Sequence, residues 1–126
     1  MMKLRYPKSI VLAGNRWTIE YDKSSQSGEY TSTNRSIIIG TGGTEERTFA
    51  VILHELVEIQ VSHLHCRYTD DYQAGNDYVS FLFVMTHPQF QEALELVTPV
   101  LMEFLPKEMS KKKEVKRCPK NQENRN

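Results

Sequence analysis

This 126-residue sequence lacks a long apolar run, and it contains only two cysteines and one tryptophan. A membrane-spanning helix needs about 20 consecutive apolar residues, so we expect no transmembrane segment. The opening stretch, MMKLRYPKSIVLAG, has too short an apolar segment for a signal peptide. We therefore expect a cytoplasmic protein.

The two cysteines, Cys66 and Cys118, are far apart, and neither belongs to a CxxC motif, so we expect no structural disulfide. The formal net charge is zero, but the charge is unevenly distributed. Residues 1–106 carry 8 basic and 13 acidic side chains, a net charge of −5, whereas residues 107–126 carry 8 and 3, a net charge of +5. We predict one domain over 1–106.

The basic segment 107–126 has a single valine and no aromatic residue, which predicts a disordered tail. Basic tails bind nucleic acid through phosphate contacts, but composition favours a solubilising or merely tolerated extension. Nucleic-acid binding is therefore not expected of the protein.

Alternating apolar and polar residues predict β-strands in the first third of the chain. Residues 9–13 and 16–22 form a candidate strand pair around Gly14-Asn15, a dipeptide suited to a tight turn. Residues 28–32 and 36–39 are two further candidate strands. We expect a small antiparallel or mixed sheet of three or four strands.

A long helix is predicted over residues 44–64. Thr44 is a suitable N-cap after a glycine-containing turn, and Glu45 and Glu46 place negative charge at the positive end of the helix dipole. Apolar residues recur at three- and four-residue spacing, which predicts a face that packs on a core; they are Phe49, Ile52, Leu53, Leu56 and Ile59.

The same helix carries the motif His-Glu-Leu-Val-Glu, residues 54–58. His54 and Glu58 are four residues apart, so both project from one side, and both side chains can bind a metal. Glu55 lies one position further on, where a carboxylate can take a proton from a metal-held water, as in the H-E-x-x-H helix of metallopeptidases. A solvated polar flank is the alternative interpretation.

Two further helices are predicted after a polar connection over 65–75. The first covers 76–85, with Tyr78, Val79, Leu82 and Phe83 on its buried side. The second begins near Pro88, is kinked or interrupted at Pro99, and ends at Pro106. The predicted fold class is α+β, a small sheet followed by the motif-bearing helix and two more helices.

This order of elements resembles the minimal zincin domains of phages and mobile elements, which are loosely related to the ImmA/IrrE-type peptidases. The resemblance covers roughly residues 28–94. The matching residues are GEYTSTNRSIIIG in the strands, FAVILHELVEI in the helix, and NDYVSFL with HPQFQEAL behind it.

The resemblance implies a zinc peptidase of the host cytoplasm, if phage-encoded, that acts on a peptide or protein. It assigns His54 and Glu58 as metal ligands and Glu55 as general base. A third ligand is implied near the start of the next helix, where Asp77, a carboxylate, is preferred over Asn76. His65 and His87 are weaker competitors, because a straight helix places His65 about 16 Å from His54 and His87 precedes a proline at a helix start.

Glu58 stands where the usual motif has histidine, and this change affects the expected chemistry. One histidine and two carboxylates neutralise a divalent cation, so bound water should be less acidic and manganese becomes a competitor of zinc. The alternative is therefore a catalytically inactive module that binds a host protein. The strand at 36–39 is the expected edge for a substrate peptide to pair with. The sequence does not indicate whether the protein is a monomer or an oligomer.

Overall fold

The computed structural model describes residues 3–69 and 81–108, and its first half is a four-stranded sheet. The strands are β1 (Ser9–Leu12), β2 (Asn15–Asp22), β3 (Gly28–Thr31) and β4 (Ser36–Gly40). They are followed by helix α1 (Glu45–His63), strands β5 (Arg67–Thr69) and β6 (Phe81–Phe83), helix α2 (His87–Leu101) and a 3-10 helix (Met102–Phe104). The predicted α+β class is confirmed, with a mixed sheet.

The order of strands in the sheet is β1-β2-β4-β3. A tight turn at Ala13-Gly14 joins the antiparallel pair β1 and β2; both turn residues have left-handed backbone angles, with φ of 53° and 75°. Strand β4 pairs in parallel with β2 and antiparallel with β3. The expectation that residues 36–39 offer a free edge is therefore wrong, because both sides of β4 are already paired. Strand β3 is the edge nearest to it.

Helix α1 covers the sheet through one apolar face, as the residue spacing predicts. Ile52, Leu56 and Ile59 are at most 3% exposed and pack with isoleucines of the strands in one core cluster. The Thr44 hydroxyl accepts the backbone N–H of Arg47, which confirms the predicted N-cap. Leu53 departs from the prediction, since it is 37% exposed and lies beside this face.

The chain's first described residues pack against the end of α2. The backbone N–H of Arg5 donates to the Phe104 carbonyl at 2.8 Å, and its guanidinium donates to the carbonyls of Met102 and Leu105. The Phe104 side chain is 1% exposed in the same core. The 3-10 helix therefore completes the domain.

The prediction of a helix over 76–85 is wrong where it can be compared with the structure. Residues 81–83 form β6, which pairs with β5 inside the segment predicted to be an irregular connection. Phe83, predicted to be buried, is half exposed, while residues 70–80 lie outside the described part. A short apolar run such as FLF has no periodicity that distinguishes a strand from a helix. Whether it forms a strand therefore depends on the segment with which it can pair.

Helix α2 begins where His87-Pro88 predicts, and a capping box between Thr86 and Gln89 caps its N-terminus. It runs through Pro99 to Leu101, so the helix is not interrupted there, and a kink at Pro99 stays a prediction. The buried Val97, Val100 and Phe104 on either side of Pro99 hold the chain on the core. None of the helices in the described ranges is long and apolar enough to cross a membrane.

Candidate metal centre

Helix α1 brings His54, Glu55 and Glu58 together at its middle. The imidazole Nε2 of His54 lies 3.0 Å from a carboxylate oxygen of Glu58 and 3.9 Å from one of Glu55. One ligand atom from each residue falls within 4.8 Å of the other two. The four-residue spacing therefore places both predicted ligands on one side of the helix, as expected.

The three side chains differ sharply in exposure. The Glu55 side chain is 5% exposed, that of Glu58 is 15% exposed and that of His54 is 67% exposed. The buried position of Glu55 is a consequence of α1 packing against β3. His54 faces outward beside Leu53, whereas the Glu58 side chain is largely shielded from solvent.

Gly28, the first residue of β3, allows this close packing. A methyl group at its Cβ position would lie 2.7 Å from Val51 Cγ1, and 3.1 Å and 3.2 Å from the Glu55 side-chain atoms Cγ and Oε1. No side chain larger than hydrogen fits there unless the helix shifts. Gly28 thus sets the distance between the sheet edge and the buried carboxylate.

Two cavities meet at His54. The first is apolar, has a volume of about 420 Å³ and lies between α1, α2 and β6; its lining includes Leu53, His54, Val57, Glu58, Phe83, Phe90 and Leu94. The second is more polar, has a volume of about 350 Å³ and lies between α1 and the start of β3; it is lined by Ser27, Gly28, Arg47, Ala50, Val51, His54 and Glu55. His54 is shared by the two, so the cluster faces both.

The geometry fits a small divalent cation with modest adjustment. Two ligand atoms at 2.0–2.2 Å from a tetrahedral metal are about 3.3–3.6 Å apart. The separation of His54 Nε2 and Glu58 Oε2, 3.0 Å, is within a few tenths of an ångström of that range. One nitrogen and two carboxylate donors suit zinc and also harder ions such as manganese.

The other predicted ligands are not brought into this cluster. Asp77 and Asn76 lie outside the described residues, so the third ligand stays a prediction. His65 and His87 are exposed, and among residues 3–69 and 81–108 neither belongs to a metal-capable group. The described part of the chain thus supplies the two predicted ligands, His54 and Glu58, and the predicted base Glu55, all from one helix.

Sequence reasoning did not identify two residues that shape the site. Arg47 precedes His54 by seven residues, a spacing that returns to the same side of a helix and could have revealed it. Gly28 carried a weaker signal, since a glycine at a strand start indicates a close backbone approach only once the neighbouring element is known.

Comparisons of this chain with protein-family models, with curated protein sequences and with solved structures gave no match.

Proposed function

We propose that the protein is a metal-dependent peptidase whose centre is formed by His54 and Glu58, with Glu55 as the general base. The observation that carries this proposal is the convergence of the three side chains within 4.8 Å, with the central glutamate buried and the histidine open to solvent. A general base must lie within hydrogen-bond reach of the proton that it takes, and the cluster places Glu55 beside the position proposed for a metal-held water.

Each residue has a defined role in this proposal. Zinc, when bound, supplies a Lewis acid that polarises the substrate carbonyl and lowers the pKa of a coordinated water. His54 and Glu58 hold the ion, and their facing atoms already lie 3.0 Å apart. Glu55 takes the proton of the attacking water and returns it to the leaving amine. Asp77 remains the proposed third ligand on the strength of the resemblance.

Two features support a peptide as the substrate. Strand β3 is an edge of the sheet, its paired side faces β4, and its first residue lines the polar cavity with His54 and Glu55. An extended peptide can add to such an edge through main-chain hydrogen bonds. The apolar cavity on the other side of His54 offers space for a large side chain. The proposed site of action is the cytoplasm, that of the host if the protein is phage-encoded.

The second candidate function is a catalytically inactive module that binds a protein partner. The observation that favours it is the apolar cavity, where Leu53, Phe83, Phe90 and Leu94 are 37–50% exposed. Exposed apolar residues grouped in this way are typical of interaction surfaces. In this alternative the His54–Glu58 contact is a surface ion pair and no metal is held.

Metal analysis of four purified proteins tests the proposal. We expect wild type and Glu55→Gln to retain one zinc per chain, and His54→Ala to lose it because a ligand is removed. In Glu55→Gln the amide preserves the shape of the base but cannot accept a proton. His63→Ala is the matched control, since His63 is an exposed histidine of α1 outside the cluster. Peptide hydrolysis should disappear in both Glu55→Gln and His54→Ala. Equal zinc content in His54→Ala and wild type would contradict the proposed ligand.

A further inference from the structure

The polar cavity holds a cationic side chain, that of Arg47, in addition to the proposed catalytic residues. Arg47 lies in the first turn of α1 and lines the cavity with His54 and Glu55. Ser27 and Gly28 form the opposite wall, so the cavity runs along the helix between the sheet edge and the proposed metal centre.

The Arg47 side chain is held in place from two directions. Its Nε–H donates to the carbonyl oxygen of Gln26 at 3.1 Å. Its Cβ and Cγ pack beside Gly43, where an added methyl group would come within 3.2–3.3 Å of them. The bond to Gln26 uses Nε and not the two terminal nitrogens, which are the pair that commonly binds a carboxylate in a bidentate manner.

Within residues 3–69 and 81–108, no acidic side chain forms an ion pair with Arg47. Glu45 lies two residues before Arg47. Its carboxylate accepts hydrogen bonds from the Leu4 N–H and the Tyr6 hydroxyl. Arg47 is thus an exposed cation that lines the cavity and has no carboxylate partner from the described part of the chain.

The spacing between Arg47 and the proposed metal centre along α1 indicates which residue of a bound peptide would face Arg47. Seven helical residues correspond to about 10.5 Å along the axis, and they return to nearly the same side of the helix. An extended peptide spans about 3.3–3.6 Å per residue. Along the helix axis, the Arg47 position is thus offset from the His54 position by about three residues of an extended peptide.

From this arrangement we infer that Arg47 selects peptides carrying a carboxylate about three residues from the bond to be cleaved. This inference rests on the proposed function, because the register is counted from the proposed centre. The carboxylate comes from an aspartate or glutamate side chain or from the C-terminus of the peptide, and the chemistry recognised is the same. The cleaved bond itself needs no acidic residue next to it.

Binding measured by calorimetry in the zinc-loaded Glu55→Gln variant tests the inference without hydrolysis of the probe. Two matched pairs of peptides are used. The first is acetyl-Ala-Phe-Ala-Ala-Asp-Ala-amide against its Asn twin, and the second is acetyl-Ala-Phe-Ala-Ala-Ala with a free carboxylate against its amide. We expect the acid of at least one pair to bind about tenfold more tightly than its neutral twin, as a charge-assisted bidentate contact implies.

Substitutions assign this preference to Arg47. Added to Glu55→Gln, Arg47→Met should reduce the ratio of affinities to about one, and Arg47→Lys should retain only part of it because an ammonium lacks the planar pair of donors. Arg16→Met is the matched control, since it removes the same charge from an exposed arginine of β2 that does not line the cavity. It should leave the ratio unchanged.

The outcomes separate this inference from the proposed function. Equal binding of acid and neutral peptides, no binding of any peptide, or a preference that survives Arg47→Met would overturn the role of Arg47. A preference that survives would point to the metal as the carboxylate's partner. Zinc content and hydrolysis of the wild type, measured alongside, report on the proposed function independently. The pair that shows the preference identifies the side-chain or the C-terminal carboxylate as the recognised group.

Discussion

Gly28 controls how closely the sheet edge approaches the buried carboxylate, and its role is steric. The glycine does not adopt a left-handed backbone angle, unlike Gly14 in the β1–β2 turn. What requires glycine at position 28 is the helix beside it, because Val51 and Glu55 occupy the space that a methyl group would need.

The substitution Gly28→Ala is expected to destabilise the domain by about 1–3 kcal/mol, the usual cost of overpacking. It should also weaken hydrolysis, since Glu55 must move. Removing the obstructing methyl groups with Val51→Ala should relieve part of the strain, so the double variant should be more stable than the sum of the two single effects by about 1 kcal/mol. Chemical denaturation of the four proteins measures this coupling. Strictly additive effects would show that the contact is not the reason for glycine.

At the residue scale, the sequence was sufficient to predict which side chains of the candidate site converge on one helix. His54, Glu55 and Glu58 could be predicted because helical spacing converts directly into a common side. The exposure of these side chains could not be predicted, since the burial of Glu55 depends on β3, which reaches the helix only after folding. Arg47 was missed because an arginine in a first helical turn is most often a solvated surface residue.

At the level of elements, α1 presents two different apolar surfaces. Leu56 is 1% exposed and belongs to the core, whereas Leu53 is 37% exposed and lines the apolar cavity. The two leucines are adjacent in the repeating pattern, so the periodicity alone assigned both to one buried face.

Aspartate substitutions distinguish these surfaces. Leu56→Asp should unfold the domain, because an unpaired buried charge costs several kcal/mol against a total stability of about 5–15 kcal/mol. Leu53→Asp is the matched control on the same helix and should change stability by less than about 1 kcal/mol. Thermal melts monitored by circular dichroism compare the two. A cooperative melt of Leu56→Asp near the wild-type temperature would contradict the assignment of the buried face.

Strand β6 marks the limit of prediction from local patterns. Its residues, Phe81–Phe83, were assigned to a helix because apolar residues around them fitted a helical stripe. The structure instead pairs them with Arg67–Thr69. Such a pairing joins segments distant in sequence, and no local propensity reports it.

For the whole molecule, the two ends of the described chain meet at the end of α2. Arg5 binds carbonyls of the 3-10 helix, and Phe104 fills the core beside it. The parallel pairing of β2 with β4 is equally non-local, which is why the strands could be predicted one by one but their order could not. The boundary at residue 106 stays a prediction.

Two truncations test that boundary. Ending the chain after Pro106 should leave the melting temperature within a few degrees, because the polar residues beyond contribute little to folding. Ending it after Leu101 should unfold the domain, since it removes Phe104 and the carbonyls that Arg5 binds. Both proteins are compared by thermal denaturation. A large loss of stability in the longer variant would show that the tail contributes to the fold.

The central claim is that His54 and Glu58 hold a metal, and metal analysis of wild type and Glu58→His tests it most directly. The substitution restores two histidines and raises the formal charge of the site by one, so it should favour zinc and make the bound water more acidic. We expect one zinc per chain in the wild type, with higher zinc affinity and faster peptide hydrolysis in Glu58→His. No metal in either protein would contradict the account and favour the protein-binding module.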